Sequence, residues 1–95
     1  MTNPFSSVPG FNDLILVRLT HEDIRIIKTY GVPDEEFLTA LERGCDTEDG
    51  LLIGCRRECI IDVNCCLAAV SEELDDKKEV HRLLKTFKKL EAYEF

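Results

Sequence analysis

Residues 51–74, LLIGCRRECIIDVNCCLAAVSEEL, constrain this chain more than any other stretch. On a helical wheel with Cys55 at the origin, Leu52, Cys59, Ile60, Val63, Cys66, Leu67, Val70 and Leu74 fall between roughly 20° and 140°. Arg57, Glu58, Asp62, Asn64 and Glu72 fall outside that arc. Arg56 is the charged residue inside it, close to the helix start, where a long stem carries the guanidinium to water. Gly54 weakens the first turn. The pattern predicts a long amphipathic helix over about 51–74. A stripe of that width has to be covered, so the flanking segments must supply partners.

Those segments read as helices too. Thr20 has the character of an N-cap, followed by Glu22 and Asp23 in the first turn, Lys28 near the end and Gly31 as a stop. The next helix starts at Pro33 with Asp34, Glu35 and Glu36 against the positive end of the dipole, and Gly44 closes it. The last carries Val80, Leu83, Leu84, Phe87 and Leu90 on one face, with Asp75 or Asp76 as the cap. The run DLILVRL (13–19) fits either a buried strand or a helix begun by Asn12. No second segment pairs with it and a lone strand has no ladder, so helix is the expectation. The reading is all-α: a small four- to five-helix antiparallel bundle with a long central helix (about 51–74) and an amphipathic basic C-terminal helix (about 76–92). Residues 1–12, with two prolines, a glycine and two serines, read as a flexible arm, and 13–95 as a single helical domain.

Charge divides the chain. The net charge is −7, yet residues 77–89 hold six of the twelve bases and a single acid. The remainder therefore carries six bases against eighteen acids. An acidic body repels phosphates, so nucleic acid is disfavoured as a partner. Lys77, Lys78, Arg82, Lys85, Lys88 and Lys89 form the basic face of the last helix, a docking surface for an acidic protein or for the acidic body of a second copy, as in a homodimer.

Four of the five cysteines lie between positions 55 and 66. On a single helix Cys55, Cys59 and Cys66 share one edge, but Cys66 lies about 10 Å along the axis from Cys59, too far for one ion. Cys55 and Cys59 remain as weak candidate metal ligands, needing His21, His81 or Cys45 to complete a site. The commoner use of free cysteine, as a small buried apolar residue, is the expectation, with no metal or cofactor. Cys65 points off the apolar face with Ile61 and Ala69, a second, shallower contact surface.

No 18-residue apolar run, signal-peptide pattern, phosphate loop or nucleophile motif occurs in the sequence. The two histidines have no catalytic neighbours in sequence, so the chain reads as a non-enzyme. A cytoplasmic location follows from the thiols and the lack of an export pattern.

Three partial resemblances bear on function. Asn3-Pro4-Phe5 is similar to the tripeptide bound by endocytic adaptor domains. Leu19, Thr20, Glu22, Asp23, Gly31, Val32, Glu42, Arg43 and Gly44 resemble phage-repressor helix-turn-helix segments, which implies duplex binding. Both helices are longer than that motif, and the would-be recognition helix begins Asp34-Glu35-Glu36, which faces phosphates with the wrong sign. Gly31 and Ala40-Leu41 resemble the ubiquitin-associated three-helix module, without its usual Gly-Asp before the third helix. The expected function is a small acidic intracellular interaction or regulatory module, adaptor- or inhibitor-like. The alternatives are a cysteine/histidine metal-binding or redox-responsive protein and a helix-turn-helix regulator.

Overall fold

The computed structural model describes residues 14–94 and corrects the all-α expectation. Four helices pack on a three-stranded antiparallel sheet. The elements are β1 (Leu14–Thr20), α1 (His21–Tyr30), α2 (Glu35–Glu42), β2 (Cys45–Asp46), β3 (Gly50–Arg56), α3 (Arg57–Ser71) and α4 (Lys77–Glu91). Strand order is β1-β3-β2. The proposed arm, 1–12, lies outside the described residues.

The long central helix does not exist as such. Its first quarter is β3, and α3 runs only from Arg57 to Ser71. Alternation explains the difference. Ile53 and Cys55 are buried and Leu51 half-buried, while Leu52 and Arg56 are exposed. This is the period of a half-buried strand, and it places Arg56 outside without special pleading. Gly50 and Gly54 disfavour helix in the same stretch. β1 alternates likewise: Val17 and Leu19 are wholly buried, and Leu16 and Arg18 face out. The register runs from Leu14 opposite Arg56 to Thr20 opposite Gly50. Each strand was thus the missing partner of the other.

The backbone bonds assign the two edges of β1. His21 N–H donates to Asp49 O at 2.9 Å, continuing the ladder. In an antiparallel pair such bonds fall on alternate residues, so Ile15, Val17 and Leu19 turn their N–H and C=O groups to β3. Leu14, Leu16, Arg18 and Thr20 turn theirs outward. Thr20 N–H is taken by Asp23 Oδ2 at 2.9 Å. Gly50 is required at its place, because a Cβ there would lie 1.9 Å from Leu19 O.

The helices cover one face of the sheet. Val17, Leu19, Ile26, Ile27, Phe37, Ile53, Ile60, Leu67, Leu83 and Leu90 make one core. Full burial of each such side chain contributes about 1.5–3 kcal/mol. Of the four helices expected outside 51–74, three are present; the fourth, over 13–19, is instead the strand β1, because β3 supplies the ladder partner the sequence did not reveal. Thr20 forms a capping box with Asp23 on α1, and Asp76 caps α4. In α2 the cap is Asp34, with Pro33 one residue outside, and Arg43 precedes the expected stop at Gly44. On α4 the core takes Thr86 and leaves Leu84 39% exposed, reversing the expectation for Leu84. The other sheet face is uncovered among the described residues, with Leu16 54% and Leu52 37% exposed.

Candidate interaction surfaces

α1 and α4 lie side by side, joined by charge. Asp23, 4% exposed, is the node. Its carboxylate accepts from Thr86 Oγ1 at 2.7 Å, from Thr20 N–H and from the Lys89 ammonium. Burial is the largest influence on this group and acts to raise its pKa, but the bonds from Lys89, Thr20 and Thr86 together outweigh it and leave the pKa lowered. Nearer the start of α4, Arg25 bonds both Glu22 and Glu79, and Tyr30 donates its hydroxyl to Glu79 Oε2 at 2.5 Å. The Arg25 and Tyr30 bonds pull Glu79 down to about 2. Arg82 reaches Glu79 at 3.5 Å and Glu22 at 3.9 Å.

The predicted basic face is therefore divided. Lys89 is half-buried in the Asp23 node, and Arg82 is held by acids of α1 and α4. Lys77, Lys78, Lys85 and Lys88 are exposed and make no ion pair among the described residues. At the start of α4, Lys77, Lys78, His81 and Arg82 line a shallow open recess. His81 belongs to this group because it lies one turn beyond Lys77 and Lys78 on the same face. The smaller surface on α3 has Ile61 38% exposed, with Cys65 and Ala69 exposed beside it.

The cysteines sit differently from the helical-wheel picture. Cys55 is on β3 and Cys59 in the first turn of α3, and both are 2% exposed. Cys66 is half-buried; Cys45 and Cys65 are exposed; all five are thiols. Burial pushes Cys55 up to about 11. Burial, with the Glu36 carboxylate beside it, pushes Cys59 up to about 12. Its thiol donates to Glu36 Oε2 at 2.6 Å, while Arg56 Nε and Nη2 each bond Glu36 at 2.9 Å. Asp34, Glu36 and Cys59 bring one ligand atom each within 4.8 Å of one another, the only such trio among the described residues. Neither histidine, Cys45 nor Cys55 belongs to this trio. Every member already has work: Asp34 caps α2 through Phe37 N–H, and Glu36 holds Arg56 and the Cys59 proton. A cation here would have to replace the Cys59 proton and compete with Arg56 for Glu36.

After α2 the chain enters β2 and β3 rather than a third helix, so the ubiquitin-associated arrangement is not formed. The exposed start of α2 carries Glu35 and Glu36. The Asn3-Pro4-Phe5 motif lies outside the described residues. Sequence reasoning missed the open sheet face and the outer edge of β1. The sequence carried no alternation to signal them, because Leu14, Ile15, Leu16 and Val17 are all apolar and Arg18 alone interrupts the run. Comparison with protein-family models, with curated proteins and with solved structures found no match for the chain. No helix among the described residues is long and apolar enough to cross a membrane.

Proposed function

We propose that this protein is a small, non-catalytic interaction module that docks an acidic protein surface on the first turns of α4, in a cytoplasmic setting. The observation that carries the reading is the concentration of Lys77, Lys78, His81 and Arg82 around one recess of a chain with net charge −7. The lysines at 77 and 78 present donors that the carboxylates among the described residues leave available. Against an otherwise acidic surface, such a patch steers one sign of partner to one place and repels it elsewhere. The five unpaired thiols support the reducing compartment.

A polyglutamate peptide is the probe. Titration calorimetry at low salt is expected to give a dissociation constant on the order of 100 μM for this charge-driven contact. The Lys77→Glu/Lys78→Glu variant should lose binding at least tenfold while keeping its helical circular dichroism, because both side chains are exposed and acids suit a helix start. Absence of polyglutamate binding refutes the reading. Salt-steep binding to duplex DNA with no polyglutamate binding moves the function to the helix-turn-helix alternative.

A further inference from the structure

We propose that β1 is a self-pairing edge: two copies of this chain join antiparallel through their β1 strands, about a twofold axis at Leu16, into one six-stranded sheet. The argument begins with the main chain. Leu14, Leu16 and Arg18 direct their N–H and C=O groups away from β3, and no bond to them occurs among the described residues. A row of alternating donors and acceptors is complementary to one thing, an extended strand. Edge strands that must remain single carry blocking charges, prolines or bulges. β1, reading LILVRLT, has one charge, and its ladder with β3 is unbroken over seven residues.

An antiparallel axis at Leu14 or Ile15 leaves the outward groups of Arg18 without a partner inside β1; three registers remain, and two of them fail. An axis at Val17 opposes Leu14 to Thr20, whose N–H is already held by Asp23. An axis at Arg18 opposes two guanidinium groups directly, which is destabilising. An axis at Leu16 opposes Leu16 to Leu16 of the second copy and Leu14 to Arg18 of the second copy. Each opposed pair then exchanges two hydrogen bonds, and every outward group of Leu14, Leu16 and Arg18 is used. Thr20 keeps its bond to Asp23.

Side chains support the same register. Leu16 is 54% exposed, the largest value in the sheet for a bulky apolar residue. Its Cδ2 and Leu14 Cδ1 lie over Gly54, 3.8 and 3.9 Å from where a Cβ there would sit. Pairing about Leu16 brings two such leucine clusters into contact and lays the Arg18 stem beside Leu14. The one charge on the edge is balanced in advance, since Arg18 Nη2 is 3.5 Å from Asp49 Oδ1. Two acidic chains can therefore approach at this edge without like charges meeting. The basic recess of α4 is formed by other residues, so this contact stands or falls independently of the acidic partner.

The test uses the whole chain and charge at the axis. Sedimentation velocity over a concentration series should show a reversible dimer. Leu16→Lys and Leu16→Glu each place like charges face to face across the axis, and each should weaken the dimer about tenfold or more. Mixed in equal amounts, the two should recover it, because lysine then opposes glutamate. Amide exchange on the wild-type protein supplies a second measurement: protection of Leu14, Leu16 and Arg18 should rise with concentration. A wild-type protein that stays monomeric at about 1 mM overturns the proposal. So does a dimer indifferent to both substitutions, failure of the mixture to recover the dimer, or protection of those amides in the monomer, which assigns the edge to another occupant.

Discussion

Asp23 joins a local cap and a long-range clamp in one carboxylate, so removing it tests both. In Asp23→Ala, Thr20 N–H loses its acceptor, a cap loss of about 1 kcal/mol. The Thr86 hydroxyl, 1% exposed, loses its partner, which costs about 1 kcal/mol. Lys89 loses its counter-ion, but its side chain is 32% exposed, so solvent limits that share to about 1 kcal/mol rather than the 3–5 kcal/mol of a fully buried pair. The sum, about 3 kcal/mol, is a large part of the roughly 5–14 kcal/mol that a domain of this size commands. It corresponds to a fall in melting temperature of roughly 12–24 °C. Urea unfolding followed by circular dichroism reads it directly. The pH dependence adds a second signature. The folded pKa of Asp23 lies below its ordinary value of 3.8, so its contribution is complete above that value and is lost as pH falls through the folded pKa. Acid should therefore narrow the gap between wild type and Asp23→Ala. A loss under about 1 kcal/mol at neutral pH, or a gap that does not narrow in acid, would refute the clamp.

The thiols offer an independent check. With a disulfide reagent at mildly alkaline pH, Cys45 and Cys65 should react quickly. Cys55 and Cys59, buried and with thiols pushed up to about 11 and about 12, should wait for unfolding; rapid native-state labelling of Cys59, located by peptide mapping, contradicts their placement. Val32 stands at φ 45°, a left-handed conformation hostile to a β-branched residue. Because it is 76% exposed, Val32→Asn should relieve that strain and raise stability by about 1 kcal/mol; an unchanged melting temperature counts against the strained turn.

Legibility in the sequence followed the range of the interaction. Thr20 with Asp23, Asp34 with Glu35 and Glu36, and Asp76 with its helix are local signals, and α1, α2 and α4 were recognisable from them. β1 and β3 were not, because strand identity rests on a partner 36 residues away, from Val17 to Ile53. The wheel for 51–74 looked convincing because Ile60, Val63, Leu67 and Val70 are helical and the strand residues before them are also apolar. Arg56 on the apolar arc was the visible conflict, and it marked the strand-to-helix junction. The basic face was readable as charge. Its division between an internal clamp at Lys89 and free lysines at 77 and 78 required knowing that α1 lies alongside α4. The outer edge of β1 was invisible for the same reason as the strand itself.

Both long strands pass into helices with no intervening loop, at Thr20–His21 and at Arg56–Arg57. Strand alternation and helix rotation are therefore phased against each other at two fixed points. One residue added at either junction turns the following helix by about 100°. At the second junction this would carry Cys59, Ile60, Val63 and Leu67 out of the core together. Slack for a change of length lies instead in a connection such as 72–76, outside the ladder, whereas the two junctions are positions where a residue can be exchanged but not inserted or deleted.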